Sequence, residues 1–128
     1  MSDKFTVEII TPNKSIIKSD ANEVTIPSYE GYMGILKDHI PLITFLRPGI
    51  ILIKDREDKK YYVEEGTVEF SNNNLLILTS AVKNLDNMNK NNINELLSNA
   101  EKLKKDSLSD KENYILSYKI DTLKEIIK

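Results

Sequence analysis

Apolar residues between Phe5 and Ser80 come in short runs rich in β-branched side chains, whereas beyond Leu85 they recur at three- and four-residue steps. The first pattern has the period of strands, the second that of helices. Phe5-Thr6-Val7-Glu8-Ile9-Ile10 predicts a strand closed by the turn signal Thr11-Pro12-Asn13-Lys14. Ser15–Lys18 and Glu23–Ile26 follow, the second ending at Pro27, which lacks the donor a central ladder needs. Further strands are predicted over Leu42–Leu46, Ile50–Ile53, Tyr61–Val63, Thr67–Phe70 and Leu75–Thr79. The charged run Asp55–Lys59 separates two of these as an exposed tip, and Asn72-Asn73-Asn74 marks another turn. Short strands at this spacing argue for a sandwich or barrel.

Ile93, Leu96, Leu97, Ala100 and Leu103 share one helical face, and Leu116, Ile120, Leu123 and Ile127 form the stripe of a second helix. Ser109-Asp110-Lys111-Glu112 has the capping-box form, with a hydroxyl at the cap and a carboxylate three residues on. The break at Lys105-Asp106-Ser107-Leu108 is short, which favours antiparallel packing of the two helices. The expected fold is therefore an N-terminal β-sandwich or barrel over 1–84, followed by a two-helix hairpin over 85–128.

The chain has 128 residues, 40% of them hydrophobic and 30% charged, enough for one globular domain with an appendage. Its net charge of −2 gives no basic field for nucleic acid or anionic lipid. Periodicity and not charge marks the boundary: 1–84 hold 10 basic and 12 acidic side chains, and 85–128 hold 8 of each. Cysteine is absent, which fits a reducing compartment and excludes thiolate chemistry. No signal-peptide stretch and no apolar run long enough to span a bilayer is expected.

Catalytic chemistry is missing too. His39 is the lone histidine, so no multi-histidine metal site can form, and no nucleophile elbow accompanies it. Gly31, Gly34, Gly49 and Gly66 form no phosphate loop. Glu64 and Glu65, read as adjacent strand residues, would point to opposite faces. The expectation is a non-enzymatic interaction protein with no cofactor. A generic sandwich adaptor with a helical dimerisation hairpin, or a small hydrolase built on His39, remain alternatives from the residues alone.

Glu30-Gly31-Tyr32-Met33-Gly34-Ile35-Leu36-Lys37-Asp38-His39-Ile40-Pro41-Leu42-Ile43-Thr44 resembles the signature EG-x-x-GIL-x-x-H-x-PLLT of the epsilon-subunit family of F-type ATP synthases. Pro48-Gly49-Ile50, Glu65–Glu69, Leu75–Ala81 and the two-helix ending are similar to that family in order and spacing. The resemblance implies a flattened β-sandwich followed by a helical hairpin, in a non-catalytic central-stalk subunit, peripheral at the cytoplasmic face of a bacterial membrane and attached to it indirectly. Its implied partners are the gamma subunit, the rotor c-ring and, through the hairpin, the catalytic alpha and beta subunits. It also implies that the hairpin inhibits ATP hydrolysis.

Carried onto this chain, the rotor and gamma interface falls on Glu30, Gly31, Tyr32, Met33, Gly34, Asp38 and His39. The family usually has an acidic residue where Tyr32 stands, and Glu30 or Asp38 could substitute for it; Tyr29, Tyr32 and Met33 would form an apolar patch. From the residues alone the same glycines read as a turn with positive φ, and His39 as a structural histidine. Leu85, Asp86 and Asn89 occupy the place of the family's ATP motif (I/L)-D-x-x-R-A, with asparagine where arginine is needed and Lys90 for the alanine. Asparagine cannot supply a charged fork of donors to phosphate, so ATP binding to the isolated subunit is expected to be weak or absent. The plainer reading makes Asp86 a helix N-cap with Leu85 packed behind it. Lys102, Lys104, Lys105 and Lys111 cluster near the helix break, with Lys119 and Lys124 further along, and the resemblance assigns such a basic cluster to an acidic segment of the beta subunit.

Overall fold

A computed structural model describes residues 3–104 and 108–127. Among them are strands β1 (Phe5–Ile10), β2 (Ser15–Ala21), β3 (Glu23–Ser28), β4 (Gly31–Leu36), β5 (Leu42–Leu46), β6 (Gly49–Lys54), β7 (Asp58–Val63), β8 (Gly66–Ser71), β9 (Asn74–Thr79) and β10 (Val82–Asn84). A 3-10 turn (Leu85–Asn87) then leads into helices α1 (Lys90–Lys104) and α2 (Asp110–Ile127).

The strands form one curled sheet in the order β10-β7-β6-β3-β5-β8-β9-β1-β2, with β4 on the free side of β3. Every pairing is antiparallel except that of β1 with β9. Only Ser28↔Leu46 joins β3 to β5, so the sheet divides there into two halves that close over a common core. Period-two alternation supplies that core: Phe5, Val7 and Ile9 point inward from β1, Ile51 and Ile53 from β6, Val68 and Phe70 from β8. Phe5 and Phe70 meet edge to face with ring centres 5.6 Å apart.

Four local expectations change. Gly31–Leu36 is a strand and not part of an extended turn; only Gly31 has positive φ, at 124°, and the bend itself is Tyr29-Glu30. Strand β4 pairs with β3 from Ser28↔Gly31 to Glu23↔Leu36, and the Ser28 hydroxyl donates to the Gly31 carbonyl at 2.6 Å. Pro27 lies inside β3, in the gap between the β6 pairing, which stops at Thr25, and the β5 pairing at Ser28, so its missing donor breaks no ladder. Glu64 and Glu65 sit in the bend between β7 and β8. Asp86 is not the cap of α1: Asn84 caps the 3-10 turn, accepting from Asp86 N at 2.9 Å, and Asn89 caps α1, accepting from Asn92 N at 2.9 Å.

The capping box at the start of α2 forms as expected. Ser109 N donates to Glu112 Oε1 at 3.2 Å and Glu112 N donates to Ser109 Oγ at 3.1 Å. The bond from the Ser109 backbone holds the Glu112 carboxyl below its usual range. The helices run antiparallel, because Ile93 early in α1 clusters with Leu123 late in α2, while Ala100 clusters with Leu116 and Ile120. Leu103, read as part of the apolar face, is exposed. Of the residues read as the helix break, Lys105 to Ser107 lie outside the described residues.

Candidate functional site

Strand β5 carries apolar side chains on both faces. Leu46 is buried, whereas Ile43 and Phe45 turn outward and are 78% and 59% exposed. Across the ladder, Phe45 pairs with Thr67 of β8, Thr67 with Leu78 of β9, and Leu78 with Ile10 of β1. One row along, Ile43 is followed by Glu69, Leu76 and Glu8. Same-row residues of neighbouring strands project from one sheet face. Phe45 and Ile43 thus extend an apolar surface with Leu78, 43% exposed, and flank it with the carboxylates of Glu69 and Glu8. Ile40, 74% exposed, stands on the loop that enters β5. An apolar sheet face with a polar border is the composition of a protein interface.

The residues singled out from sequence do not gather into one loop. Glu30 is exposed on the Tyr29-Glu30 bend, and Asp38 and His39 lie beyond the far end of β4, about 17 Å of strand away. Tyr32 faces outward, accepts from Ile50 N at 3.1 Å and lies under the Arg47 guanidinium; Met33, its neighbour, turns into the core. Tyr29 packs instead on Phe45 and Tyr114, so Tyr29, Tyr32 and Met33 do not form one patch. Gly34 is exposed beside Glu23. Asp38, at φ 66°, and Asn73, at φ 58°, bind each other twice: Asp38 N donates to Asn73 Oδ1 at 2.7 Å and Asn73 Nδ2 donates to Asp38 Oδ1 at 2.9 Å. His39 packs edge-on against Phe70, with Nδ1 2.7 Å from the Ile40 carbonyl oxygen.

Leu85 and Asp86 fall in the 3-10 turn, and the Asn89 side chain is engaged as the α1 cap. The adjoining cleft is lined by Tyr61, Lys83, Asn84, Asn87 and Asn92, so lysine is its single cation among the described residues. Burial, and secondarily the Asp86 charge, push the Tyr61 phenol up. Lys102 and Lys104 are exposed in the last turn of α1, where they complement the helix dipole, and Lys111 is exposed in the first turn of α2. Lys119 lines the same cleft as Lys111 but is engaged in a pair with Glu64 at 2.8 Å; Lys124 lies in the last turn of α2, about 20 Å from Lys111. Lys105 is outside the described residues.

The hairpin rests on the sandwich. At its base, Tyr62 of β7 clusters with Ile93, Leu123, Leu85 and Met88. The Tyr62 hydroxyl is buried there without a partner among the described residues, and burial drives its pKa well above the phenol range.

The profile of the family described as "ATP synthase, Delta/Epsilon chain, beta-sandwich domain" matches residues 4–84. A chain from Pelagibacter ubique named ATP synthase epsilon chain is 51% identical over 130 aligned residues, spanning 98% of this chain and 99% of its own length. The chain belongs to the ATP synthase epsilon-chain family. A second epsilon chain, from Dichelobacter nodosus, is 32% identical and aligns with 80% of this chain and 73% of its own. The fold matches a chain in the Euglena gracilis mitochondrial ATP synthase OSCP/F1/c-ring structure with a TM-score of 0.81 at 18% identity, covering 100% of this chain and 84% of that one. Within this family frame, the matched sandwich carries the exposed Ile43–Phe45–Leu78 face, and the hairpin lies beyond the matched residues. The motif near His39 that carried the resemblance leads directly into that face; the face itself left a signal in the nearly unbroken apolar run of β5.

Proposed function

We propose that this chain is a non-catalytic central-stalk subunit whose sandwich seats on the gamma subunit through the Ile43–Phe45–Leu78 face. The observation that carries this reading is the exposure of three large apolar side chains on one sheet face of an epsilon-family sandwich. His39 and Ile40 extend that seat, while the Glu30–Tyr32 end of the β3–β4 hairpin meets the c-ring. Attachment to the membrane is then indirect, at its cytoplasmic face. No helix among the described residues is long and apolar enough to cross a membrane.

The hairpin is the regulatory element in this reading, docked on the sandwich in the permissive state and released toward the catalytic subunits in the inhibitory one. Among the described residues the sandwich core contains none from α1 or α2, which supports a hairpin separable from its seat. Ending the chain at Asn84 in a reconstituted ATP synthase is expected to leave the complex assembled and to raise ATP hydrolysis several-fold. Loss of gamma binding, or unchanged hydrolysis, would contradict that division of labour.

Nucleotide is not the switch here. With Asn89 capping α1 and Lys83 the cleft's only cation among the described residues, the triphosphate finds no guanidinium fork. Calorimetric titration of the chain with ATP is expected to show no site tighter than about 1 mM, a binding energy of only about 4 kcal/mol. Saturation at lower concentration would return ATP to the mechanism.

A further inference from the structure

The two ends of the hairpin are held by different kinds of contact. The base cluster joins Tyr62 of the sandwich to Ile93 and Leu123. The distal cluster of Ala100, Leu116 and Ile120, with Leu97 and Leu108 against it, contains hairpin residues alone. Besides the Lys119–Glu64 ion pair, what ties α2 to the sandwich is a separate stripe, Tyr114, Tyr118 and Thr122, set four residues apart on one helical face. Tyr114 OH donates to the Tyr29 carbonyl at 2.8 Å; Thr122, buried under the helix, donates its hydroxyl proton back to the Tyr118 carbonyl of its own helix at 2.7 Å, with the Pro48 carbonyl oxygen 3.3 Å away. Between them the Arg47 guanidinium carbon lies 3.7 Å from the Tyr118 ring centre and 5.4 Å from that of Tyr32.

Arg47 is only 8% exposed, donates from Nε to the Ser28 carbonyl at 2.9 Å, and forms no ion pair with a carboxylate among the described residues. A guanidinium withdrawn from water without a counter-ion needs another compensating field, and the negative faces of two tyrosine rings supply it. Tyr32 belongs to the sandwich, so its ring stays when α2 leaves; Tyr118 is the movable half.

We propose that Arg47 is a clamp that holds α2 on the sandwich by stacking on Tyr118. When it opens, α1 and α2 leave together as a preformed pair. The polar groups of this interface regain water on opening, and the apolar stripe between the helices never has to. The clamp is a property of this chain by itself; only its consequence for ATP hydrolysis rests on the regulatory reading of the hairpin.

The absence of cysteine permits a direct test on the full chain. Thr122→Cys places a thiol under the docked helix, Val68→Cys places one in the sandwich core, and Ala100→Cys places one between the helices. Arg47→Lys or Tyr118→Leu is expected to speed thiol labelling of Thr122→Cys about tenfold, the value of a desolvated cation–π contact. Labelling of Val68→Cys and Ala100→Cys should not change. Tyr118→Phe, which keeps the ring, should behave as wild type, and Arg47→Lys combined with Tyr118→Leu should add little to either alone. Unchanged labelling of Thr122→Cys in Arg47→Lys, equal effects of Tyr118→Phe and Tyr118→Leu, or Ala100→Cys becoming reactive in step with Thr122→Cys would each overturn the proposal. A clamp that passes this test while Tyr118→Leu leaves ATP hydrolysis of the complex unaltered would instead remove the regulatory reading.

Discussion

Replacing Ile43 and Phe45 together by aspartate is expected to weaken binding to the gamma subunit by at least about 100-fold while leaving the chain folded. Each side chain is more than half exposed, so the free protein loses little apolar burial and its melting temperature should move by no more than a few degrees. In a seated complex both become covered. Each then forfeits about 1.5–3 kcal/mol of apolar transfer, and an unpaired carboxylate enters a dry patch already bordered by Glu69 and Glu8. Those losses reach about 3–6 kcal/mol, which sets the scale of the predicted change in Kd. Leu103→Asp is the control: Leu103 is 51% exposed but lies on α1 of the hairpin, outside the sandwich, and should leave the affinity within a few-fold. Equal losses in the two variants would mean that general surface charge, not this seat, governs binding.

Gly66→Ala should be the most damaging single change to the fold. Gly66 opens β8 between Leu46 of β5 and Thr79 of β9. A Cβ there would overlap the backbone carbonyl oxygen of Leu78 and come within 3.0 Å of Thr79 Cβ. The obstacle is a ladder backbone that cannot withdraw without separating β8 from β9, so the constraint is one of space. A loss of about 3 kcal/mol or more follows, at the upper end of single substitutions. Gly31→Ala makes a useful contrast, since nothing stands within 4 Å and only its φ of 124° resists a side chain; there the loss should be nearer 1 kcal/mol. Urea denaturation of the two variants gives the order directly, and Gly66→Ala unfolding at the wild-type midpoint would refute it. Because β8 bridges β5 and β9, the same variant should also weaken the gamma seat.

Much of the fold is legible in the chain because local chemistry decided it. Alternation marked β1 and β8, and Ser109 with Glu112 announced a cap that forms with both of its hydrogen bonds. Strand β4 was hidden because Gly31 and Gly34 signal a loop, and only pairing with β3 and the inward packing of Met33 and Ile35 make it a strand. The start of α1 was ambiguous for a related reason. Asn84, Asp86, Asn87 and Asn89 are all able caps, and the seating of Ile93 against Tyr62 and Leu123 selects Asn89. At β5, a run apolar on both faces does not tell which side meets the core. Arg47 and Tyr118 belong to opposite halves of the chain, and nothing in either neighbourhood announces that they stack.

The most direct measurement is the affinity of the intact, purified chain for the isolated gamma subunit. A saturable one-to-one complex with a Kd below about 1 μM is the expected result. A folded chain that shows no association at tens of micromolar, about ten times that limit or more, would contradict the assignment of the Ile43–Phe45–Leu78 face as the seat on the shaft.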